Sequence, residues 1–320
     1  MEPESVAVSP DSRLAWVTLE RNNALALIDI ENENLLNILP LVDKNNGADG
    51  FGLDTSDVDG QINIRPWPGL RSWLQPDLIA SFVSNGQVFL TTANEGDPRD
   101  FAGYTEQAPV GNLALDPVAF PDPSIADPAN LGRLSVSTVD GDVDGDGDFD
   151  VLHAFGGRSF SIWTADGRPV FDSGDDFEQI TAAAIPQFFN TPDDQNRFDA
   201  LSIRRGPEPE AIAVGQIGAR QYAFVGFERI GGVMAYDITD PFSPRFEQYI
   251  NTRNFNIDPA QVCIEDQPQS ALCAQAGDLS VEGVLFIPAG QSPIGVPLLV
   301  LNHETSDSVT VFRIDALAPS

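Results

Sequence analysis

Short apolar runs separated by turn residues dominate this chain. The clearest series spans 211–214, 222–227 and 233–238, each run rich in β-branched or aromatic residues. Glycine and turn residues lie between them, so the pattern predicts antiparallel strands with tight connections. A carboxylate opens the first strand (Glu210) and another closes the second (Glu228). The unit recurs near the start, where Glu4 leads into runs at 6–8, 14–19 and 24–30. From Glu20 to Ile30 and from Glu228 to Ile238 the spacing is identical, with Glu-Arg and Asp-Ile at matching places. A third copy carries Asp77 and Glu95, and a fourth carries Glu282 and Glu304.

A repeating unit of three or four short strands predicts an all-β fold, a β-propeller of four-stranded blades with one unit per blade. The expectation is a single propeller domain over 1–320, with five blades visible and long insertions near 43–75, 101–130, 179–205 and 251–279. The second blade is expected to resume at 132–138 after its insertion. The third is expected to run from Asp140 to Trp163, and a short helix to cover 180–189. Trp67 and Trp73 are expected to pin the first insertion onto the core. The chain opens directly on a blade motif, so the expectation includes a seven-bladed parent with earlier blades and a secretion signal absent here, the blades coming from another segment or chain.

Charge narrows the function classes. With 17 Lys and Arg against 48 Asp and Glu, the formal net charge is −31. That excludes nucleic acid and anionic membrane surfaces as natural partners. It suits a secreted protein, a saline habitat or a binder of divalent cations, with solubility alone as the plain alternative. Hydrophobic residues make up 42% of the chain and fall in periodic runs, which argues against disorder. No apolar run reaches the length of a membrane span. Cys263 and Cys273 sit in a polar segment. A local disulfide would place the protein outside the cytoplasm, and free thiols are the alternative.

Two acidic patterns are candidate cation sites. In 140–150, Asp142, Asp144, Asp146, Asp148 and Asp150 alternate around Gly145 and Gly147. Alternate carboxylates in a tight glycine turn can converge on one hard cation, and calcium takes six to eight oxygens. The closing Glu of an EF-hand is absent, since His153 falls there, and no helices flank the loop. The segment resembles the calcium loops between strands of integrin-type propellers, which implies a structural ion. A further acidic segment at 49–60, with Asp54, Asp57 and Asp59, reads either as a calcium loop or as a solvated turn.

The second pattern is the repeat itself. In a propeller the first strand of each blade lines the central channel. Acids that open that strand or close the next one then gather at the channel mouth: Glu4, Glu20, Asp77, Glu95, Glu210, Glu228, Glu282 and Glu304. Their repulsion calls for calcium, with room for a second divalent or transition metal. Each acid could instead bond a neighbouring blade's backbone. Arg21, Arg99, Arg158 and Arg229 accompany the acids, either as inter-blade pairs or as an anion clamp suited to phosphate. Arg99 and Arg158 are the candidate clamp. His303, beside Glu304, is a candidate ligand or general acid, or a packed surface residue. No nucleophile elbow, P-loop, HExxH or dinucleotide fingerprint is present.

Several stretches carry a resemblance: Glu2-Pro-Glu4, Thr92-Ala-Asn-Glu-Gly-Asp-Pro-Arg99, Gly132-Arg-Leu134, Arg158-Ser-Phe-Ser-Ile-Trp163, Gly206-Pro-Glu-Pro-Glu210 and Asn302-His-Glu-Thr305. They look like the bacterial extracellular propeller family called choice-of-anchor I, related to mesenchyme-specific cell-surface glycoprotein. The resemblance covers most of the chain. It implies a propeller outside the cytoplasm: extracellular, periplasmic or at the cell surface. Some family members carry an alkaline phosphatase assignment, and propeller phytases are similar in architecture. With the acid ring and its arginines, the expectation is an extracellular calcium-binding propeller that acts as a divalent-metal-dependent phosphoesterase at the channel mouth on a small phosphorylated substrate. The rival is a non-catalytic surface or adhesion propeller with a cell-surface partner, and a third reading is an acidic mineral-contact protein.

Overall fold

A computed structural model describes residues 2–263 and 272–315. The strands, in chain order, begin with β1 (Val6–Val8), β2 (Leu14–Leu19), β3 (Ala24–Asp29) and β4 (Asn34–Pro40). Next come β5 (Asp43–Asn45), β6 (Leu70–Trp73), β7 (Ile79–Ser84), β8 (Gln87–Asn94), and a small hairpin of β9 (Asp100–Phe101) and β10 (Tyr104–Thr105). They continue with β11 (Gln107–Pro109), β12 (Ser135–Ser137), β13 (Leu152–Phe155), β14 (Ser159–Thr164) and β15 (Pro169–Asp172). The last are β16 (Pro209–Ile217), β17 (Arg220–Phe227), β18 (Val233–Asp237), β19 (Arg245–Ile250), β20 (Val281–Ile287), β21 (Leu298–His303) and β22 (Ser308–Arg313).

Four antiparallel sheets carry the repeat. They are β1–β4, then β7, β8, β14 and β15, then β16–β19, and among the described residues β20–β22. The first strand of each packs against the first strand of the next, β1 on β7, β7 on β16 and β16 on β20. That is the radial order of a β-propeller, with first strands innermost. Burial is continuous along much of β8, β14 and β17, which are covered on both faces, and alternates along the outer strand β22. Trp16, Leu25, Leu74, Leu90 and Trp163 fill the space between the first and second blades. Phe89, Phe160, Phe177, Val225 and Tyr236 fill the space between the second and third. Each such side chain contributes roughly 1.5–3 kcal/mol on burial. Between the third and fourth blades the backbones come close. A Cβ on Gly215 would lie 2.4 Å from the Phe286 ring, and one on Gly226 would lie 2.5 Å from Val281.

Blade membership differs from the expectation in one region. The stretch from Asp140 to Trp163 does not form a blade of its own. Its later part, β14, pairs with β8 from Ser159↔Asn94 to Thr164↔Phe89 and completes the blade that starts near Pro76. Its earlier part, β13, lies parallel to β6, from Leu152↔Leu70 to Phe155↔Trp73. β12, expected to resume the second blade, joins the same mixed sheet, ordered β11-β12-β13-β6-β5. The reason is packing. Leu134, Val136, Leu152 and Ala154 share a separate buried core with Leu53, Trp67, Leu70, Val110 and Phe120. The insertions at 43–75 and 101–130 therefore help build a sheet with its own core.

Trp67 is buried in that core, and its indole donates to Leu53 O at 3.0 Å. Trp73 instead stacks on His153 with ring centroids 4.5 Å apart. The helix lies earlier than expected, as α1 (Asp176–Ala184). It stops because Pro186 keeps Ile185 out of helical geometry, at φ −140° and ψ 56°. A disulfide joins Cys263 to Cys273. Part of the expected insertion at 251–279 lies outside the described residues.

Candidate metal centre

The acids reach one place because the blades repeat a backbone device. Gln75, Glu208 and Ser280 all have positive φ, at 46°, 50° and 64°. Each stands two residues before a carboxylate that opens a first strand: Asp77, Glu210 and Glu282. The carbonyls of these three residues accept from Gly96 N (3.1 Å), Glu228 N (2.9 Å) and Glu304 N (2.8 Å), at the ends of the second strands. Strand pairing also shifts register at Glu210 and at Glu282. Such irregularities re-aim a side chain. A non-glycine residue in the left-handed region costs on the order of 1–3 kcal/mol, so three in register mark a maintained geometry.

The result is a row of carboxylates. Oxygens of Asp77, Glu95 and Glu210 lie within 4.8 Å of one another, and so do those of Glu95, Glu208 and Glu228, and those of Glu228, Glu282 and Glu304. Glu95 and Glu228 each belong to two groups. Glu20 adjoins the row beside Glu95 and Asp77, and Glu4 lies near Asp77 at greater exposure. Of the expected ring, Glu95, Glu210, Glu228, Glu282 and Glu304 come together with Asp77, and Glu20 and Glu4 flank them. Glu208 is the member that strand-end spacing missed. The alternation Glu208-Pro-Glu210 was its available signal.

Two arginines run through the row. Arg205 Nη1 lies 2.7 Å from Glu95 Oε1, and its Nη2 lies 3.2 Å from Glu208 Oε2. Arg229 meets Glu208 at 2.8 Å, Glu228 at 2.8 Å and Asp193 at 2.9 Å. Burial and then neighbouring carboxylates push Glu20 and Glu210 far above the usual range. Burial, with Glu208 close by, raises Glu228. Burial also lifts Glu95 to about 7 against the opposing pull of Arg205. Glu282 rises to about 7 through burial and Glu304. Glu20 Oε1 and Glu210 Oε2 are buried with no hydrogen-bond partner. An unsatisfied buried group costs about 1–3 kcal/mol, more if charged. Either protons or cations must relieve this row. All its donors are carboxylate oxygens, which fit calcium or magnesium and do not fit a metal seeking sulfur or imidazole.

Three expected site residues stand elsewhere. Arg158 is 1% exposed and donates to Asp54 O (2.8 Å), Glu178 Oε1 (2.6 Å), Ser202 O (2.8 Å) and Arg204 O (2.7 Å). All those bonds face inward, so it cannot clamp an anion at the mouth. Arg99 is held by Glu106 at 3.1 Å and by Arg21 O at 2.9 Å. His303 alternates with Glu304 along the chain and so points the other way. Its buried ring lies 3.8 Å from Asp278, outside the three acid groups.

The aspartate loop is a different object. Oxygens of Asp142, Asp144 and Asp146 lie within 4.8 Å of one another, all three residues exposed. Asp142 accepts from Gly145 N (2.7 Å) and Gly147 N (3.1 Å), and Asp150 accepts from Val143 N (2.7 Å). Asp148 stands outside that triad. The acidic segment at 49–60 turns inward: Asp54 is buried and accepts from Asn63 N at 2.6 Å, and Asp57 takes both oxygens to Arg133.

The Choice-of-anchor I domain model matches residues 1–241. The chain belongs to that family. Among curated relatives, Gigasin-3a of Magallana gigas is 31% identical over 201 residues, covering 61% of this chain and 68% of that protein. The mesenchyme-specific cell surface glycoprotein of Strongylocentrotus purpuratus is 28% identical over 273 residues, covering 74% of this chain. The chain spans only 35% of that glycoprotein's length. Among solved structures, the β-propeller domain of Myceliophteria thermophila Cps50 (Swd1) overlays 98% of this chain and 83% of its own at 8% identity, with a TM-score of 0.26. The family's propeller is therefore assigned on this chain's own sheets. No helix among the described residues is long and apolar enough to cross a membrane.

Proposed function

We propose that this domain is an extracellular, calcium-binding propeller whose channel mouth holds divalent cations and uses them to hydrolyse phosphoesters. One observation carries the cation part: three carboxylate triads share Glu95 and Glu228, so neighbouring ions would have common ligands. Divalent ions bound there would supply charge neutralisation and Lewis acidity toward a phosphoryl oxygen. Asp77, Glu95, Glu208, Glu210, Glu228, Glu282 and Glu304 would be the ligands. Arg205 and Arg229 keep those carboxylates apart and oriented. The aspartate loop would hold a separate, structural calcium on Asp142, Asp144 and Asp146. The disulfide and the surface location in one relative's name support a place outside the cytoplasm.

The non-catalytic reading has its own support. Both arginines expected to clamp phosphate are committed to protein partners, and one relative is named a cell surface glycoprotein. Under that reading the same cations stiffen a surface module that meets another macromolecule. Phosphate release from a panel of phosphomonoesters, phosphodiesters and phytate separates the two. Calcium-dependent release that is lost in Glu228→Gln supports the hydrolase. No release from a folded protein with calcium bound at the mouth moves the function to surface binding.

A further inference from the structure

Beside the acid row lies a cavity of about 480 Å³ lined by Arg133, Arg197, Arg204, Arg205 and Arg229. We infer that this cavity binds a tetrahedral oxyanion, the phosphate or sulfate group of an ester ligand. Arginine is concentrated here. The chain has 17 basic residues against 48 acidic ones, yet five arginines converge on one wall.

Ion pairs build that wall. Its carboxylates are Asp57, Asp193, Asp194 and Glu208. Asp57 accepts from Arg133 Nε and Nη2, at 2.5 and 3.0 Å, with Arg197 at 3.4 Å. Asp193 pairs with Arg229 and accepts from Thr305 Oγ1 at 2.7 Å. Glu208 lies between Arg205 and Arg229. These pairs fix Arg133, Arg205 and Arg229 in place. Arg204 is exposed and has no carboxylate within ion-pair distance among the described residues, and Arg197 is largely exposed. Guanidinium donors are therefore free on a pre-set wall, in the geometry that suits an oxyanion.

The wall is also supported from beneath. Buried Arg158 bonds the carbonyls of Ser202 and Arg204, fixing the turn that presents Arg204 and Arg205. The arginine expected to touch the anion is thus a positioning residue. Arg133, Arg204 and Arg205 also line an adjoining cavity of about 500 Å³, which leaves room for the organic part of an ester. Glu208 belongs both to this cavity and to a carboxylate triad, so a bound anion would lie next to the mouth. Its role as substrate group rests on the cation reading proposed above; its binding does not.

The test is calorimetric titration of the whole chain with inorganic phosphate and separately with sulfate, first in chelator and then with calcium. Binding is expected in both conditions. Arg204→Ala and Arg197→Ala should each weaken it by about tenfold, the scale of one lost charge-assisted bond. Both side chains are exposed, so melting temperature should hold and a folding defect would be visible. Preference for phosphate assigns a phosphoester ligand, and preference for sulfate a sulfate ester. No binding of either anion, or full affinity in the double variant, overturns the inference. Calcium uptake at the mouth, the part of the total that Glu228→Gln removes and the aspartate loop does not account for, is scored separately. Anion binding without calcium uptake would sink the cation centre alone, and calcium uptake without anion binding would sink this site alone.

Discussion

The acid row at the mouth and the aspartate loop at 142–150 use the same chemical group in opposite surroundings. In the loop, the carboxylates are exposed and bond the loop's own amides. Water can solvate their charge, so the turn does not need an ion to relieve repulsion. At the mouth, sheet pairing delivers each acid to its place whatever its charge. Burial withholds solvent from Glu95, Glu208, Glu210 and Glu228, while Asp77 and Glu282 are half-buried and Glu304 is exposed. Repulsion is then stored in the fold. Cation binding at the mouth should therefore be coupled to global stability, while binding at the loop should be local.

The largest expected effect is the pH dependence of stability without divalent ions. Glu95 and Glu282 are pushed up to about 7 from a usual 4.5. A carboxylate raised in the folded state contributes stability that is fully present below its unfolded value and is lost as pH rises through the folded one. The chelated protein should therefore weaken between about pH 5 and pH 8, by on the order of 3 kcal/mol for a group such as Glu95. Calcium should restore that loss, most strongly at high pH. Denaturant unfolding across the range with chelator or calcium checks both signs, and a flat profile breaks the comparison.

A smaller effect belongs to Glu228, shared by two triads. Glu228, pushed up to about 9 by burial and Glu208, must take up a proton for the chelated protein to fold at pH 8. The neutral Glu228→Gln avoids that cost, so it should stabilise the chelated protein there by roughly 1–2 kcal/mol while weakening calcium binding at least tenfold. Asp146→Asn in the exposed loop should abolish one calcium equivalent yet shift chelated stability by less than about 0.5 kcal/mol. Melting curves with and without calcium, run side by side for both variants, sharpen the contrast.

The same contrast bears on what could be read in the sequence. The hairpins of the first, third and fourth blades were legible because each pairs with its sequence neighbour. The acids at their strand ends were legible with them. The mixed sheet was not, since β13 finds β6 at a register offset of 152 − 70 = 82 residues, Leu152 against Leu70, with no local turn to announce it.

 β6 ends at Trp73 and β13 begins at Leu152, so the chain travels 152 − 73 = 79 positions between them. The join of β14 to β8 was hidden for the same reason. Arg158 read as an anion clamp because it accompanies the acids in a chain poor in bases, whereas its burial depends on Asp54, Glu178 and the turn at 202–204. The positive φ shared by Gln75, Glu208 and Ser280 left no common residue type to find.

The most direct measurement is calcium-dependent thermal unfolding at pH 8 of a variant whose loop is silenced by Asp142→Asn, Asp144→Asn and Asp146→Asn. Of the carboxylate groups among the described residues, those at the mouth then remain to bind. The account predicts a melting temperature that rises steeply with calcium and a rise that shrinks at pH 5, where protons already relieve the row. A melting temperature indifferent to calcium at pH 8 would contradict it, and the carboxylates would then be held in the fold by their protons alone.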